Sequence, residues 1–189
     1  HIAYYTLSSI IKVLKKYKLY VFNAEKIKVH GGILRVFVSL KEKKFTKKLK
    51  QILKKENDKK IINKVSNLNL FRIKFSNKVK KLLFNLKKQK KTIYGIGAAP
   101  RACVMLNSCN LSKHQIGLVG EVPKSLKCNK YIPGTDIMVI NENKIISDQP
   151  DYVIILAWHL KKRIINLLKK KGYKGNFIIP LPKLEILKN

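Results

Sequence analysis

The residues in this chain whose types and spacing could do chemistry are concentrated in residues 92–111, TIYGIGAAPRACVMLNSCNL. An apolar run at 93–96 predicts a strand, and a helical segment follows a loop of small residues. Glycines 95 and 97 permit positive φ and close approach of a ligand to the backbone. Arg101, beside the N–H groups that open the helix, could add a charged fork for a phosphate. The pattern predicts a phosphate-facing turn, with an ordinary strand-to-helix turn as the alternative.

The loop matches only part of the dinucleotide fingerprint G-x-G-x-x-G. Pro100 stands where the third glycine is required, and no acidic residue follows at the right distance after a second strand. A nicotinamide-dependent enzyme is therefore disfavoured.

The composition is that of a folded protein with a strongly basic surface. The chain has 189 residues, a hydrophobic fraction of 46% and a formal net charge of +32. Such a charge favours nucleic acid through counterion release, but only four of the 42 basic residues are arginines, which base-reading and phosphate-clamping surfaces prefer. The lysines are spread over helix faces, so a solvated surface is the preferred interpretation.

Three cysteines, at 103, 109 and 128, show neither an even count nor metal-ligand spacing. This usage favours a reduced, cytoplasmic setting and no metal site. No apolar run reaches transmembrane length, so we expect no membrane partner. Because the chain begins with His1 instead of Met, we expect it to be the C-terminal part of a longer protein.

The elements that position these residues follow from periodicity. Thr6 is the predicted cap of a first helix, and the runs 19–22 and 33–40 predict two strands with a bend at 30–32. Residues 41–91 carry two apolar stripes at helical spacing, each backed by lysines, which predict bridging helices.

From residue 92 onward the pattern alternates between strands and helices. It predicts strands at 93–96, 116–119, 152–156 and 177–179, a turn at 131–135 and a helix closed by Gly172. Such alternation implies a small, mainly parallel sheet. We expect Gly97, Gly120 and Trp158-His159 to follow strand ends that open on one crevice.

Six separated motifs carry a resemblance to a known family. They are His1-x-x-Tyr4, His30-Gly31-Gly32-x-x-Arg35-Val36, Gly95-x-Gly97-Ala98-x-x-Arg101 with Leu106-Asn107, Tyr131-x-Pro133-Gly134-Thr135, Asp151-Tyr152 with Ala157-Trp158, and Phe177-Ile178-x-Pro180-Leu181-Pro182. In this order they resemble the C-terminal half of the S-adenosylmethionine-dependent C-methyltransferases that act on nucleotide-linked keto sugars. The resemblance covers nearly the whole chain, apart from the connector helices, where only helical character is shared.

The resemblance implies an α/β fold in three parts. Residues 1–40 are then the end of a Rossmann-like methyltransferase domain, a helix plus an antiparallel β-hairpin. Residues 41–91 are a helical connector, and residues 92–189 form a small, mainly parallel Rossmann-like α/β domain. The family's cysteine-rich zinc module and cofactor-binding strands would lie upstream, so S-adenosylmethionine would be bound mainly, and zinc entirely, by residues that precede His1.

The resemblance also implies site residues. The catalytic set is His1 as the base that forms an enolate, with Tyr4 and His30 on the substrate. The substrate-binding set consists of Gly31, Arg35, Gly95, Gly97, Arg101, Tyr131 and Trp158. The expected partner is a small molecule, a sugar nucleotide, and not nucleic acid.

This chain departs from the family pattern in two places. Family members commonly carry an Asp after the second strand of the C-terminal domain, where Gly120-Glu121 stands here, and Pro100 and Ala102 alter the glycine loop. Two other classes of function stay open, a noncatalytic nucleotide-recognition module and a basic nucleic-acid binder.

Overall fold

The structure is a computed structural model that describes residues 4–28, 32–57, 63 and 66–189. The chain divides into two compact units, His1–Asn69 and Leu70–Asn189. The three-part division with boundaries after residues 40 and 91 stays a prediction.

The first unit contains the predicted helix and hairpin. Helix α1 spans Leu7–Lys16, strands β1 and β2 span Tyr20–Ile27 and Ile33–Ser39, and helix α2 spans Lys47–Glu56. The two strands pair antiparallel, with a register shift between Val21 and Asn23. The predicted bend at His30-Gly31 lies outside the described residues.

Two side chains satisfy the first N–H groups of α1. The Thr6 hydroxyl accepts from the Ser9 N–H at 3.1 Å, as the sequence predicts, and the Glu56 carboxylate accepts from the Ser8 N–H at 3.0 Å. Those N–H groups have no partner within α1. Glu56, the last residue of α2, therefore supplies a hydrogen-bond acceptor for the first turn of α1. The small buried core of this unit consists of Leu7, Val21, Ala24 and Leu49.

Helix α3 spans Leu68–Lys88, and all but its first two residues belong to the second unit. Its buried residues are Ser76, Val79, Leu83 and Leu86, and lysines occupy much of the exposed surface. The predicted stripe is confirmed for Val79, Leu83 and Leu86, which lie three and four residues apart on one helix face, whereas Phe71 of the same predicted stripe is 56% exposed.

A six-stranded sheet follows α3. Its strands are β3 (Ile93–Ile96), β4 (Leu118–Glu121), β5 (Met138–Asn141), β6 (Tyr152–Ile155), β7 (Asn176–Ile179) and β8 (Glu185–Leu187). The strand order is β5-β4-β3-β6-β7-β8, and every pairing is parallel except β7 with β8. The helices between strands are α4 (Pro100–Ser108), α5 (Asn143–Asp148) and α6 (Lys161–Lys170).

Hydrophobic cores cover both faces of this sheet. One core contains Val79 of α3, Leu106 of α4 and Ile154 of β6. The other contains Ile145 of α5 and Leu168 of α6. A mainly parallel sheet with helices on both faces is Rossmann-like, which confirms the predicted fold class.

Two strands were missed by the sequence analysis. β5 lies in a stretch interpreted as loop, and the strand at 177–179 is not the last, because β8 pairs antiparallel with it. β8 has three residues at one edge of the sheet, too few for a periodic pattern. β5 has four residues, as many as the predicted strands β3, β6 and β7, so its length does not explain why it was missed. Within the described part of the chain, no helix is both long enough and apolar enough to cross a membrane.

Candidate functional site

A cavity of about 700 Å³ opens beside the loop that follows β3, in the second unit. Its walls come from the start of α4 and from the segment that leads into β5. We call residues 98–104 the helix wall and residues 126–133 the loop wall. The lining residues are Ala98, Ala99, Pro100, Cys103, Val104, Leu126, Lys127, Lys130, Tyr131, Ile132, Pro133 and Val139.

The helix wall begins as an uncapped helix N-terminus. Ala99 is the N-cap residue and makes no side-chain cap, and Pro100 is the first residue of α4. Proline suits that position, since its fixed φ is helical and the missing N–H would have no helical partner. This explains why proline stands where a dinucleotide loop requires glycine. The positive end of the helix dipole lies at this cavity wall.

The loop wall is joined to α4 through one asparagine. The Asn107 amide donates to the Pro133 carbonyl at 2.9 Å and to the Cys103 carbonyl at 2.8 Å. The Cys103 thiol also contacts the Pro133 carbonyl, at 3.3 Å. Two motifs that are 26 residues apart in the sequence, Leu106-Asn107 and Pro133-Gly134, therefore meet in the fold.

The charges at the cavity are predominantly positive. Lys127 and Lys130 line it, and no carboxylate is among the lining residues. Lys127 pairs with Glu121 at 3.3 Å, whereas no ion pair within the described residues involves Lys130. Apolar walls next to lysines and a helix N-terminus suit a ligand with an apolar or aromatic part and an anionic group.

Packing explains why glycine is needed at both predicted loop positions. Gly95 is buried within β3, where a Cβ would lie 2.9 Å from a Val119 methyl group, and it does not have the positive φ that was expected. Gly97 has φ +92°, and its Cβ would lie 2.8 Å from the Ala157 Cβ. Both glycines let strands and loops pack closely, so any contact of either with a substrate stays a prediction.

The other predicted residues of this unit lie in different surroundings. Tyr131 is 59% exposed and lines the cavity. Arg101 is exposed on the first turn of α4, one residue beyond Pro100. Trp158 is half-buried and packs against the core that α3 and α4 share. Of the three, Tyr131 alone lines this cavity.

Of the three strand ends expected to open on one crevice, that of β3 alone leads directly into residues that line this cavity. Gly97 donates to the Gly120 carbonyl at 2.8 Å, so the ends of β3 and β4 are neighbours. A Cβ at Gly120, however, would lie 2.6 Å from Ile145 of α5. The helix therefore packs closely against Gly120 at the end of β4.

The predicted residues of the first unit are separately placed. Tyr4 is 85% exposed ahead of α1, and Arg35 on β2 pairs with Glu25 on β1 at 3.3 Å. His1, His30 and Gly31 lie outside the described residues. The roles of all five stay predictions.

Sequence reasoning missed several residues of the cavity, notably Cys103, Leu126 and Lys130. Cys103 and Asn107 are four residues apart on α4, a spacing that places both on one helix face. That signal was available in the sequence. The segment 126–130 has no such periodicity and could not have been assigned to the site. Among the described residues, no group of three or more His, Cys, Asp or Glu side chains could hold a metal ion.

Comparison with known proteins gives two matches. Residues 28–182 match the family described as C-methyltransferase C-terminal domain. The chain is also 23% identical to C-methyltransferase NovU of Streptomyces niveus, over 192 residues that cover 99% of this chain and 46% of that protein. It therefore spans less than half the length of this relative. Because the family match includes the second half of the hairpin, the cavity and the closing strands, this chain belongs to the family of C-methyltransferase C-terminal domains.

Proposed function

We propose that this chain is part of a C-methyltransferase that adds a methyl group to a carbon next to the ketone of a nucleotide-linked sugar. The observation that carries the proposal is the cavity at the end of β3, which combines apolar walls, a helix N-terminus and two lysines, with no carboxylate among its lining residues. Lys127 pairs with Glu121, which leaves Lys130 as the lysine that no ion pair of the described residues involves. Family membership supports the reaction class, and the chemistry of the cavity supports the proposed class of substrate.

The cavity suits the parts of a sugar nucleotide. Tyr131 offers an exposed ring on which a flat base or a sugar face can pack. Lys130 and the start of α4 lie on opposite walls, and both favour the negative charge of a diphosphate. We infer that Arg101, on the same helix turn, contributes a charge-assisted contact to that diphosphate.

The methyl donor does not fit this cavity. S-adenosylmethionine supplies an electrophilic methyl group when bound, but its sulfonium centre is cationic. Its ribose hydroxyls require acceptors such as carboxylates, which the lining lacks. Lysines and the positive end of a helix would repel the sulfonium. We therefore assign donor binding to other parts of the protein, as the family resemblance implies.

The chain's own contribution to the chemistry would come from His1, Tyr4 and His30. A neutral imidazole at His1 would take the weakly acidic proton from the carbon next to the ketone, which leaves an enolate. His30 and Tyr4 would donate hydrogen bonds that stabilise the negative oxygen and orient the sugar. These roles rest on the family resemblance.

The test is a methyl-transfer assay on the whole protein that carries this chain. The purified protein is incubated with S-adenosylmethionine and a panel of nucleotide-linked keto sugars, and mass spectrometry measures the gain of one CH₂ in the product. Tyr131→Ala and Lys130→Ala are each expected to raise the apparent KM for the sugar nucleotide by about tenfold, because each removes one or two polar or stacking contacts.

The matched controls are Tyr17→Ala and Lys162→Ala, which remove exposed side chains that are not among the lining residues of the cavity. Both control variants are expected to leave the apparent KM for the sugar nucleotide unchanged. Binding of the sugar nucleotide without transfer would favour the noncatalytic recognition module. Absence of both binding and transfer would refute the proposed substrate class.

A further inference from the structure

The side chain of Asn107 occupies the junction between the two walls of the cavity without lining the cavity itself. It is on the last turn of α4, beyond the helix wall, and its amide donates to Pro133, the last residue of the loop wall, at 2.9 Å. The same amide donates to the Cys103 carbonyl at 2.8 Å, which fixes its rotamer against the helix. Because Cys103 and Pro133 both line the cavity, this one group links its opposite walls.

The turn that receives Asn107 is built to accept it. Gly134 has φ +76°, and a Cβ at this position would lie 2.2 Å from the Asn107 Oδ1. The three atoms nearest to that Cβ all belong to Asn107. Glycine is therefore required here both by its left-handed backbone and by the asparagine packed against it.

The rest of the loop wall is held from its other side. Ile132 is buried and its N–H donates to the Ile137 carbonyl at 3.0 Å, and the Lys130 carbonyl accepts from the Val139 N–H at 2.8 Å. These bonds tie the loop wall to β5 but not to α4. Asn107 and Cys103 of α4 both donate side-chain hydrogen bonds to this turn.

We propose that Asn107 is a positioning residue that sets the distance between the helix wall and the loop wall, and so determines which substrates fit the cavity. The inference rests on the proposed function, because it takes the cavity as the substrate site. When the asparagine is changed, Tyr131 and Lys130 are no longer held at a fixed distance from the start of α4. Substrate affinity then falls, whereas donor affinity does not.

The first measurement requires no substrate. In the parent protein, Cys103 is half-buried and its thiol contacts the Pro133 carbonyl. N-ethylmaleimide labelling, followed by peptide mass spectrometry, reports the accessibility of Cys103 separately from Cys109 and Cys128. Asn107→Asp places a carboxylate against two carbonyl oxygens and is expected to raise the Cys103 labelling rate at least fivefold. Asn166→Ala, on the exposed face of α6, is the matched control and should not change it.

The second measurement is steady-state kinetics of methyl transfer. Asn107→Asp is expected to raise the apparent KM for the sugar nucleotide about tenfold and to leave the KM for the methyl donor unchanged. A residue that only supports folding would lower the amount of active enzyme and the unfolding temperature without this difference between the two KM values.

A variant pair keeps the proposal testable if Asn107→Asp does not fold. Gly134→Ala should lower the unfolding temperature more in the parent than in the Asn107→Ala background, where the side chain that would collide with the new methyl group is absent.

Three results would overturn the proposal. These are unchanged Cys103 labelling, an unchanged KM for the sugar nucleotide in an active Asn107 variant, or equal effects of Gly134→Ala in both backgrounds. If the parent protein transfers no methyl group, the proposed function fails, while the labelling and Gly134 measurements still decide whether Asn107 holds the two walls together.

Discussion

Replacing Gly97 by alanine is the sharpest test of how the loop after β3 is built. The new Cβ would lie 2.8 Å from the Ala157 Cβ and 3.3 Å from the Ala157 backbone nitrogen. Real Cβ atoms do not approach one another to 2.8 Å, and the Ala157 nitrogen belongs to backbone that cannot easily move. The backbone of residue 97 also has φ +92°, which alanine adopts only with strain.

The expected loss of stability follows from these two terms. Left-handed backbone in a residue with a Cβ costs about 1–2 kcal/mol. The extra methyl group in a closely packed contact costs about 1–3 kcal/mol. We therefore expect Gly97→Ala to lower the free energy of unfolding of the second unit by about 2–5 kcal/mol. For a unit of this size, the midpoint should fall by roughly 10 °C or more.

The assay is thermal and urea unfolding of the purified chain without ligand. Trp158 is the only tryptophan, and it follows Ala157 directly, so its fluorescence reports on the second unit alone. Ala157→Gly removes the partner methyl group and serves as the second arm of a double-mutant cycle. In that background, Gly97→Ala should cost about 1–2 kcal/mol less, because only the strain and the contact with the backbone nitrogen remain.

Two results would refute this reasoning. If Gly97→Ala leaves the unfolding midpoint within about 2 °C of the parent, a change of less than 1 kcal/mol, the loop is not closely packed against Ala157. If the cost is the same in both backgrounds, the collision between the two methyl groups contributes nothing.

Three further predictions concern residues elsewhere in the chain. Asp151 accepts from the Thr92 N–H at 2.8 Å and from Lys91 at 3.0 Å, and these partners, the Thr92 backbone first, lower its pKa to about 2. Because folding lowers this pKa, the ionised Asp151 side chain stabilises the folded state by about 1 kcal/mol after solvent screening. This stabilisation is complete above about pH 4 and is lost as the pH falls towards 2. Asp151→Asn should therefore lower the melting temperature at pH 6 but hardly at pH 2, whereas Glu185→Gln, with one ion pair to Lys161, should produce a smaller change at pH 6. Arg101→Ala is expected to weaken sugar-nucleotide binding by calorimetry at least tenfold, or about 1.5–3 kcal/mol, with little change in melting temperature, and unchanged affinity would remove Arg101 from the site. His1→Ala in the whole protein should abolish methyl transfer and leave donor affinity nearly unchanged, and activity within a few-fold of the parent would exclude His1 as the base.

Local pattern was sufficient for most of the fold. Apolar spacing predicted α1, α3 and α6, and the Thr6 cap and the Gly172 helix end are both present. These features depend on neighbouring residues, and helical periodicity over ten or more residues is a strong signal. Of the two strands that were missed, β8 has only three residues, whereas β5 has four, as many as the predicted strands β3 and β6. Their pairing depends on the adjacent strands and not on their own sequence.

The motifs identified the family, but they did not reveal which residues lie together. Asp151 and Thr92 are 59 residues apart, and their contact holds the first residues of β3 and β6 side by side. Asn107 and Gly134 were both noted in motifs, yet only the fold shows that one requires the other. Contacts of this kind join residues that are far apart in the sequence, and local propensity does not encode them.

The sequence by itself therefore determined the class of elements, the order of strands and helices around the glycine loop, and the family. The tertiary structure decided that Gly95 and Gly97 serve close packing, that α5 packs closely against Gly120 at the end of β4, and that the cavity has its second wall at 126–133. The physical reason is that periodicity records which face of an element is buried. The identity of the side chains that meet across a cavity depends on the long-range packing of the whole unit.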